Sequence, residues 1–212
     1  RRYTFQLRES ARWSNGDALT ADDFVAGMRR SAAPATGSAF AQLLRPIRNA
    51  VAVLEGRLPP EQLGVRALDA HVLQIELEAP TPYLLGLLSH QSTFPVHGPS
   101  LRAFGDGFAR PGRLIGNGAY ALETWVVQSH VELVRNPHYW NAGRTAIGTV
   151  RYVATEDIHS EFKRYRAGEL DVTYEIPPTQ AEQVRRDFPG QLRVAPYLGL
   201  YFYGLNLTRA PL

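Results

Sequence analysis

Trp13-Ser14-Asn15-Gly16-Asp17-Ala18-Leu19-Thr20-Ala21-Asp22-Asp23-Phe24 is the stretch whose reading decides the fold. Ser14-Asn15-Gly16-Asp17 is a turn, because Asn-Gly tolerates positive φ. Thr20 then stands as a helix N-cap, and Asp22 and Asp23 set negative charge against the positive helix end. Phe24, Val25 and Met28 form an apolar face, and Arg29-Arg30 suit the C-terminal part of the same helix. Ahead of the turn, Arg1-Arg2-Tyr3-Thr4-Phe5-Gln6-Leu7-Arg8 alternates like a strand. Strand, tight turn and amphipathic helix in close succession point to a chain that mixes sheet and helix.

The alternation continues outward. Residues 39–44 and 47–54 read as helical, the second closed near Gly56, and Leu58-Pro59-Pro60 breaks the pattern. Residues 64–68 and 72–77 make a hairpin around Asp69-Ala70-His71, and 82–88 is a short helix with proline in its first turn. A stretch rich in Gly and Pro runs from 95 to 118. Strands are expected at 120–126, 130–135 and 150–153. A helix over 158–166 is stopped by Gly168, and a strand at 170–174 follows. Thr179-Gln180-Ala181-Glu182 has the capping-box pattern and opens a helix through Arg186. Residues 192–195 and 198–207 complete the strands. The fold class is α/β, mixed sheets with flanking helices, with a crossover near residue 98.

A chain of 212 residues exceeds one typical domain and can bury a sizeable core. Its composition is that of a folded chain, which excludes disorder, collagen and coiled coil. No apolar run is long enough for a membrane helix. Without cysteine there is no disulfide framework, thiol nucleophile or Cys-based metal site. Lys163 is the one lysine among 23 basic residues, and the arginines are scattered, whereas a nucleic-acid footprint would cluster. The net charge of +3 is small. Nucleic acid is not an expected partner.

No motif argues for an enzyme. Asp22 and Asp23 point about 100° apart on a helix, which suits capping rather than acid–base work. Glu156, Asp157, His159 and Glu161 crowd a helix start, where they could hold a metal or simply initiate the helix. His90 and His97 bracket an apolar loop with no carboxylate or serine that spacing identifies as a triad. Gly105-Asp106-Gly107 lacks the third glycine of a dinucleotide fingerprint. The chain begins on a strand with no leader pattern, and 201–207 is strand-like near the other end. Such strands need partners, so the expectation is a piece of a larger protein that self-associates in isolation.

Four motifs in order carry a resemblance. Trp13-Ser14-Asn15-Gly16-Asp17 with Leu19-Thr20-Ala21-Asp22-Asp23-Phe24 closely resembles a signature of family 5 extracellular solute-binding proteins, the peptide- and nickel-binding receptors of ABC importers. Gly116-Asn117-Gly118-Ala119-Tyr120-Ala121-Leu122 with Trp125, then Val131 to Trp140 with its Asn136-Pro137-His138-Tyr139-Trp140 end, resembles a second. Tyr165-Arg166-Ala167-Gly168-Glu169-Leu170-Asp171 and Tyr201-Phe202-Tyr203-Gly204-Leu205-Asn206 resemble two more elements of the same pattern. Within the family, residues 63–71 and Trp125-Val126-Val127 are most similar to the oligopeptide receptors of Gram-negative bacteria, with murein-peptide receptors as near relatives.

The resemblance implies a type II periplasmic-binding-protein-like fold with incomplete lobes. Residues 1–97 would form the small lobe, 98–198 a segment of the first lobe and 199–212 the start of the third. It implies an exported, periplasmic, non-enzymatic protein without cofactor or metal, with short peptides and the membrane permease subunits of the importer as partners. A ligand-sensing domain of a transcription regulator is the alternative, since similar domains occur fused to DNA-binding modules. By alignment to the family, Phe40 falls where a cleft-closing Tyr stands, and His90, Tyr174, Glu175, Tyr197 and Phe202 fall on or beside side-chain pockets. Phe40 and Phe202 keep the ring of a family Tyr and lose its hydroxyl. Cleft lining and ordinary packing both remain open for each. Asn117-Gly118 would supply a turn, Gly168 would end a helix, and Trp13, Trp125, Tyr139 and Trp140 would be packing aromatics. The acidic residue that anchors the peptide N-terminus in the family belongs to a segment outside this stretch.

Overall fold

The computed structural model describes residues 1–197 and 199–208. The chain divides into two compact units, Arg1–Ala154 and Thr155–Leu212. In the first unit, β1 (Arg2–Gln6), β2 (Val65–Asp69) and β3 (Val72–Glu76) form an antiparallel sheet in the order β1-β3-β2. Alternation along β1 turns Tyr3 and Phe5 toward the core, opposite Ile75 and Leu73 of β3. The opening strand thus finds its partner within the chain. Helix α1 (Ala21–Ala32) covers the sheet with Val25, Met28 and Ala32. Leu44, Ile47, helix α2 (Ala50–Leu54) and Leu84 of helix α3 (Leu84–Leu87) complete that core. The helical readings at 39–44 and 47–54 shrink to a short 3-10 turn at Ala41–Leu44 and to α2, because Pro46 interrupts them and Asn49 adopts φ 64° just before α2.

The start of α1 follows the sequence chemistry. The Asp23 carboxylate accepts the Thr20 backbone N–H at 2.9 Å, so the acid reaches back over the first turn. Farther along, Gly27 allows α1 to lie against the backbone of Phe94 and Pro95. A Cβ at that position would stand 2.3 Å from the Phe94 carbonyl oxygen.

Helix α4 (Gly98–Phe104) opens the Gly- and Pro-rich stretch, and a second antiparallel sheet follows with β4 (Tyr120–Val126), β5 (His130–Arg135) and β6 (Thr149–Val153) in sequence order. Compactness divides after Ala154. The cause is a set of ties between early and late segments: Ser14 N–H donates to the Gly116 carbonyl at 2.7 Å, and His97 meets Asp17 at 2.9 Å.

In the second unit, helix α5 (Ile158–Arg166) begins at Asp157, whose Oδ2 accepts the Ser160 N–H at 2.8 Å and its hydroxyl at 2.6 Å. This is a helix cap in use, and it accounts for one acid of the crowded helix start. At the other end, Gly168 (φ 77°) donates to the Tyr165 carbonyl and Glu169 N–H to the Arg164 carbonyl at 3.0 Å. Those two bonds form a Schellman motif, which is the local reason for Tyr-Arg-Ala-Gly-Glu. Helix α6 (Ala181–Asp187) departs from its expected capping box. A 3-10 turn at Pro178–Gln180 has already begun the winding, with proline in its first turn, so Thr179 sits inside the helical run rather than capping it.

The strands expected at 170–174, 192–195 and 198–207 are corrected. The described residues of these segments, together with the backbone beside them, form no strand; Leu198 lies outside the described residues, as do 209–212. Apolar alternation supplies a face for a sheet, but a strand exists only where a neighbour takes its backbone hydrogen bonds.

Candidate functional site

The family-like motifs converge on a tight cluster in the first unit. Trp13 is buried, donates its indole N–H to Asp23 Oδ2 at 3.2 Å and packs edge-on against the His97 ring at 5.3 Å between centroids. His97, also buried, accepts the Ser100 backbone N–H on Nδ1 at 3.2 Å and lies with Nε2 2.9 Å from Asp17 Oδ2. An acceptor at Nδ1 places the ring proton on Nε2, which therefore donates to the carboxylate. Hydrogen bonds from His97 and then Asn15 hold the Asp17 carboxyl below the usual carboxylate range. This carboxylate partner was missed from sequence, since it lies 80 residues from the histidine.

Asn136 joins two other motifs. It is fully buried; its amide donates to the Gly118 carbonyl at 2.8 Å and its Oδ1 accepts the His138 N–H at 2.9 Å. Its own N–H donates to the Ala119 carbonyl at 2.9 Å. The asparagine thus clamps a bend at Gly118 and Ala119, where the sequence suggested a turn at Asn117-Gly118, to the loop after β5. Of the aromatics expected to pack, only Trp13 is buried. Trp125 and Trp140 are about half exposed, and Trp140 lies under the Arg8 guanidinium at 4.0 Å. An indole can sit at the surface when a cation covers its face.

The six positions expected to line a ligand site fall in both units. Phe40 and His90 meet edge-to-face in the first, with centroids 4.8 Å apart, Phe40 exposed and His90 half-buried. The His90 ring also accepts the Ser92 N–H on Nδ1 at 3.2 Å, so it caps the 3-10 turn Gln91–Thr93 while presenting its edge to Phe40.

In the second unit, Tyr174 and Glu175 belong to the wall of a concavity of about 720 Å³. Its apolar floor is set by Phe162, Val184 and Phe188, with the Phe162 and Phe188 rings T-shaped at 6.3 Å. The Tyr174 N–H donates to Glu161 Oε1 at 3.1 Å, and the residue is 92% exposed. Tyr197 and Phe202 are exposed and are not part of this wall. The concavity has aromatic and aliphatic surface with Asp171, Glu175, Arg185 and Arg193 at its margins. It offers stacking and charge contacts without any arrangement of nucleophile and base. Among the described residues no group of three His, Asp or Glu could hold a metal, and no helix is long and apolar enough to cross a membrane.

Residues 1–212 match the family of bacterial extracellular solute-binding proteins, family 5 Middle, and the chain belongs to that family. It is 40% identical over 212 residues to the periplasmic oligopeptide-binding protein OppA of Salmonella typhimurium, covering 99% of this chain and 39% of that protein. The solved murein tripeptide binding protein MppA of Escherichia coli superposes with a TM-score of 0.87 at 38% identity, covering 90% of this chain and 38% of that one. The Haemophilus influenzae OppA complex with RPPGFSPFR gives 0.85 at 36% identity, over 89% of this chain and 37% of that one. The fold is that of the family 5 periplasmic binding proteins, and the chain spans about 39% of the length of that Salmonella typhimurium protein.

Proposed function

We propose that the chain is part of the oligopeptide-binding component of an ABC importer, an exported receptor that delivers short peptides to membrane permease subunits and performs no catalysis. The observation that carries this reading is the 40% identity, along essentially the whole chain, to a periplasmic oligopeptide-binding protein. In this reading residues 1–97 belong to the small lobe, 98–198 to the first lobe and 199–212 to the start of the third. Phe40, His90, Tyr174, Glu175, Tyr197 and Phe202 supply side-chain pockets. A receptor for many sequences binds the peptide main chain through strand-like hydrogen bonds and leaves side chains in roomy, wet pockets. Exposed aromatic rings suit such pockets, because they offer area with little entropy to lose.

The test is calorimetry with mixed tri- to pentapeptides, on the full-length receptor and on this chain. Loss of one partner of a buried charge pair costs about 2–5 kcal/mol. At about 1.4 kcal/mol per tenfold, that weakens binding by roughly 30-fold to several thousand-fold in the chain without the acidic anchor. Micromolar binding by this chain alone would place the anchor within these residues and overturn the assignment. Failure of the full-length receptor to bind peptides would overturn the function.

A further inference from the structure

We propose that His97 is a proton-operated latch that holds the start of α4 and, through it, the segment before β4 to the Trp13–Asp17 turn. The ring makes two bonds of opposite requirement. Its Nε2–H donates to Asp17, and its bare Nδ1 accepts the Ser100 N–H that would otherwise be an unpaired donor at the start of α4. Ser100 is itself buried, and its hydroxyl donates to the Arg113 carbonyl. Three residues on from Arg113, Gly116 is bound to Ser14 in both directions, at 2.7 and 3.3 Å. The ring is therefore one link in a closed loop of contacts that starts and ends on the Ser14–Asp17 turn.

Protonation changes one link and keeps the other. A second proton has only Nδ1 to occupy, and there it faces the Ser100 N–H, donor against donor. The Asp17 contact persists and becomes an ion pair. The ring must then rotate or α4 must release its first turn, so the segment after residue 97 loosens while its attachment to Asp17 remains. The charged groups on the elements packed around it are Asp17 in the turn and Asp23 on α1, reached through the Trp13 indole. Arg102 of α4 stands over Gly98, where an added Cβ would meet its Nη1 at 3.0 Å. Arg113 follows α4, and His138 lies against Gly16. Asp17 is the one of these hydrogen-bonded to the ring.

The experiment follows the Ser100 amide and the His97 ring nitrogens by NMR in the full-length protein between pH 8 and 5. The ring should carry its proton on Nε2 at pH 8. As it titrates, Ser100 amide protection should fall by about tenfold, the equivalent of one hydrogen bond. In His97→Asn the side-chain oxygen can still accept the Ser100 N–H, so protection should stay level across the same range. A proton on Nδ1 at pH 8 would overturn the proposal. So would a fall in Ser100 protection that is the same in His97→Asn as in the wild type. Should the variant fail to fold, the tautomer and the Ser100 titration in the wild type decide alone: protection that does not follow the ring's titration refutes the latch.

Discussion

Glycine to alanine in a helix interior ordinarily stabilises by about 0.5–1 kcal/mol, because alanine loses less backbone entropy on folding. Gly27→Ala should do the reverse. The new Cβ would lie 2.3 Å from the Phe94 carbonyl oxygen and 3.3 Å from both the Phe94 carbonyl carbon and Pro95 Cα, where ordinary contact begins near 3.4 Å. These neighbours are backbone, so no side-chain rotation relieves the clash, and α1 must retreat by roughly 1 Å. Overpacking of this kind costs up to about 3 kcal/mol. Retreat also strains the Val96 N–H bond to the Asp23 carbonyl at 3.2 Å, worth about 1 kcal/mol. Subtracting a helix gain of about 1 kcal/mol leaves a net loss of about 3 kcal/mol. For a chain of this size that is a fall of roughly 6–12 °C in melting temperature. The control is Gly86→Ala in α3, where an added Cβ meets nothing within 4 Å; it should be neutral or mildly stabilising. Thermal melts of the two variants by circular dichroism give the comparison. If Gly27→Ala melts at or above the wild type, the close approach of α1 to the Phe94–Pro95 backbone is not a constraint and the reasoning fails.

Asn136→Ala removes two side-chain hydrogen bonds and should lose about 1–3 kcal/mol in urea denaturation. Asn136→Asp should be worse, since it turns an acceptor toward the Gly118 carbonyl; an aspartate variant more stable than the alanine one would contradict the clamp. Glu76 receives Arg48 at 2.9 Å, Arg66 at 3.0 Å and Arg2 at 3.1 Å. The Arg48 hydrogen bond first, and then the charges of the arginines, lower its carboxyl below the usual range. A depressed folded value means that its contribution is complete above the unfolded value, about pH 4.3, and is lost as pH falls through the folded one. The stability gap between wild type and Glu76→Gln should therefore be level above about pH 5 and close on acidification; a gap that widens in acid would reverse the sign.

What was legible in the sequence was local. β4, β5 and α5 stand where alternation, turn residues and a C′ glycine place them, because each is decided by neighbours a few residues away. Thr20 and Asp23 announced α1 for the same reason. The segments at 170–174 and 199–207 carry strand-like residues too, yet a strand needs a second chain segment beside it, and no local pattern encodes one. His97 illustrates the same limit for the site. Its ring and its apolar loop could be read from sequence, but the carboxylate that orients it stands 80 residues away along the chain, in a turn whose own residues speak only of turning.

The candidate ligand positions were harder still, and the reason is chemical. A catalytic centre advertises itself through paired titratable groups at a spacing that packing alone seldom requires. A surface built to accept many peptides uses exposed rings and main-chain groups, which look in sequence like packing residues and in isolation like an unfinished surface. Tyr174 at 92%, Tyr197 at 90% and Phe202 at 74% exposure are positions where an aromatic side chain does little for the fold around it. Large exposed apolar groups recurring along one segment mark a surface meant to be covered. The proposed function supplies that cover in two forms, the remaining length of a receptor of which this chain spans about 39% in its relative, and a peptide held between lobes. These two covers make different demands on one ring. Tyr174→Ala in the full-length receptor separates them: if the ring only packs, melting temperature falls and peptide affinity follows it. If it lines a pocket, affinity falls while the melt is unchanged.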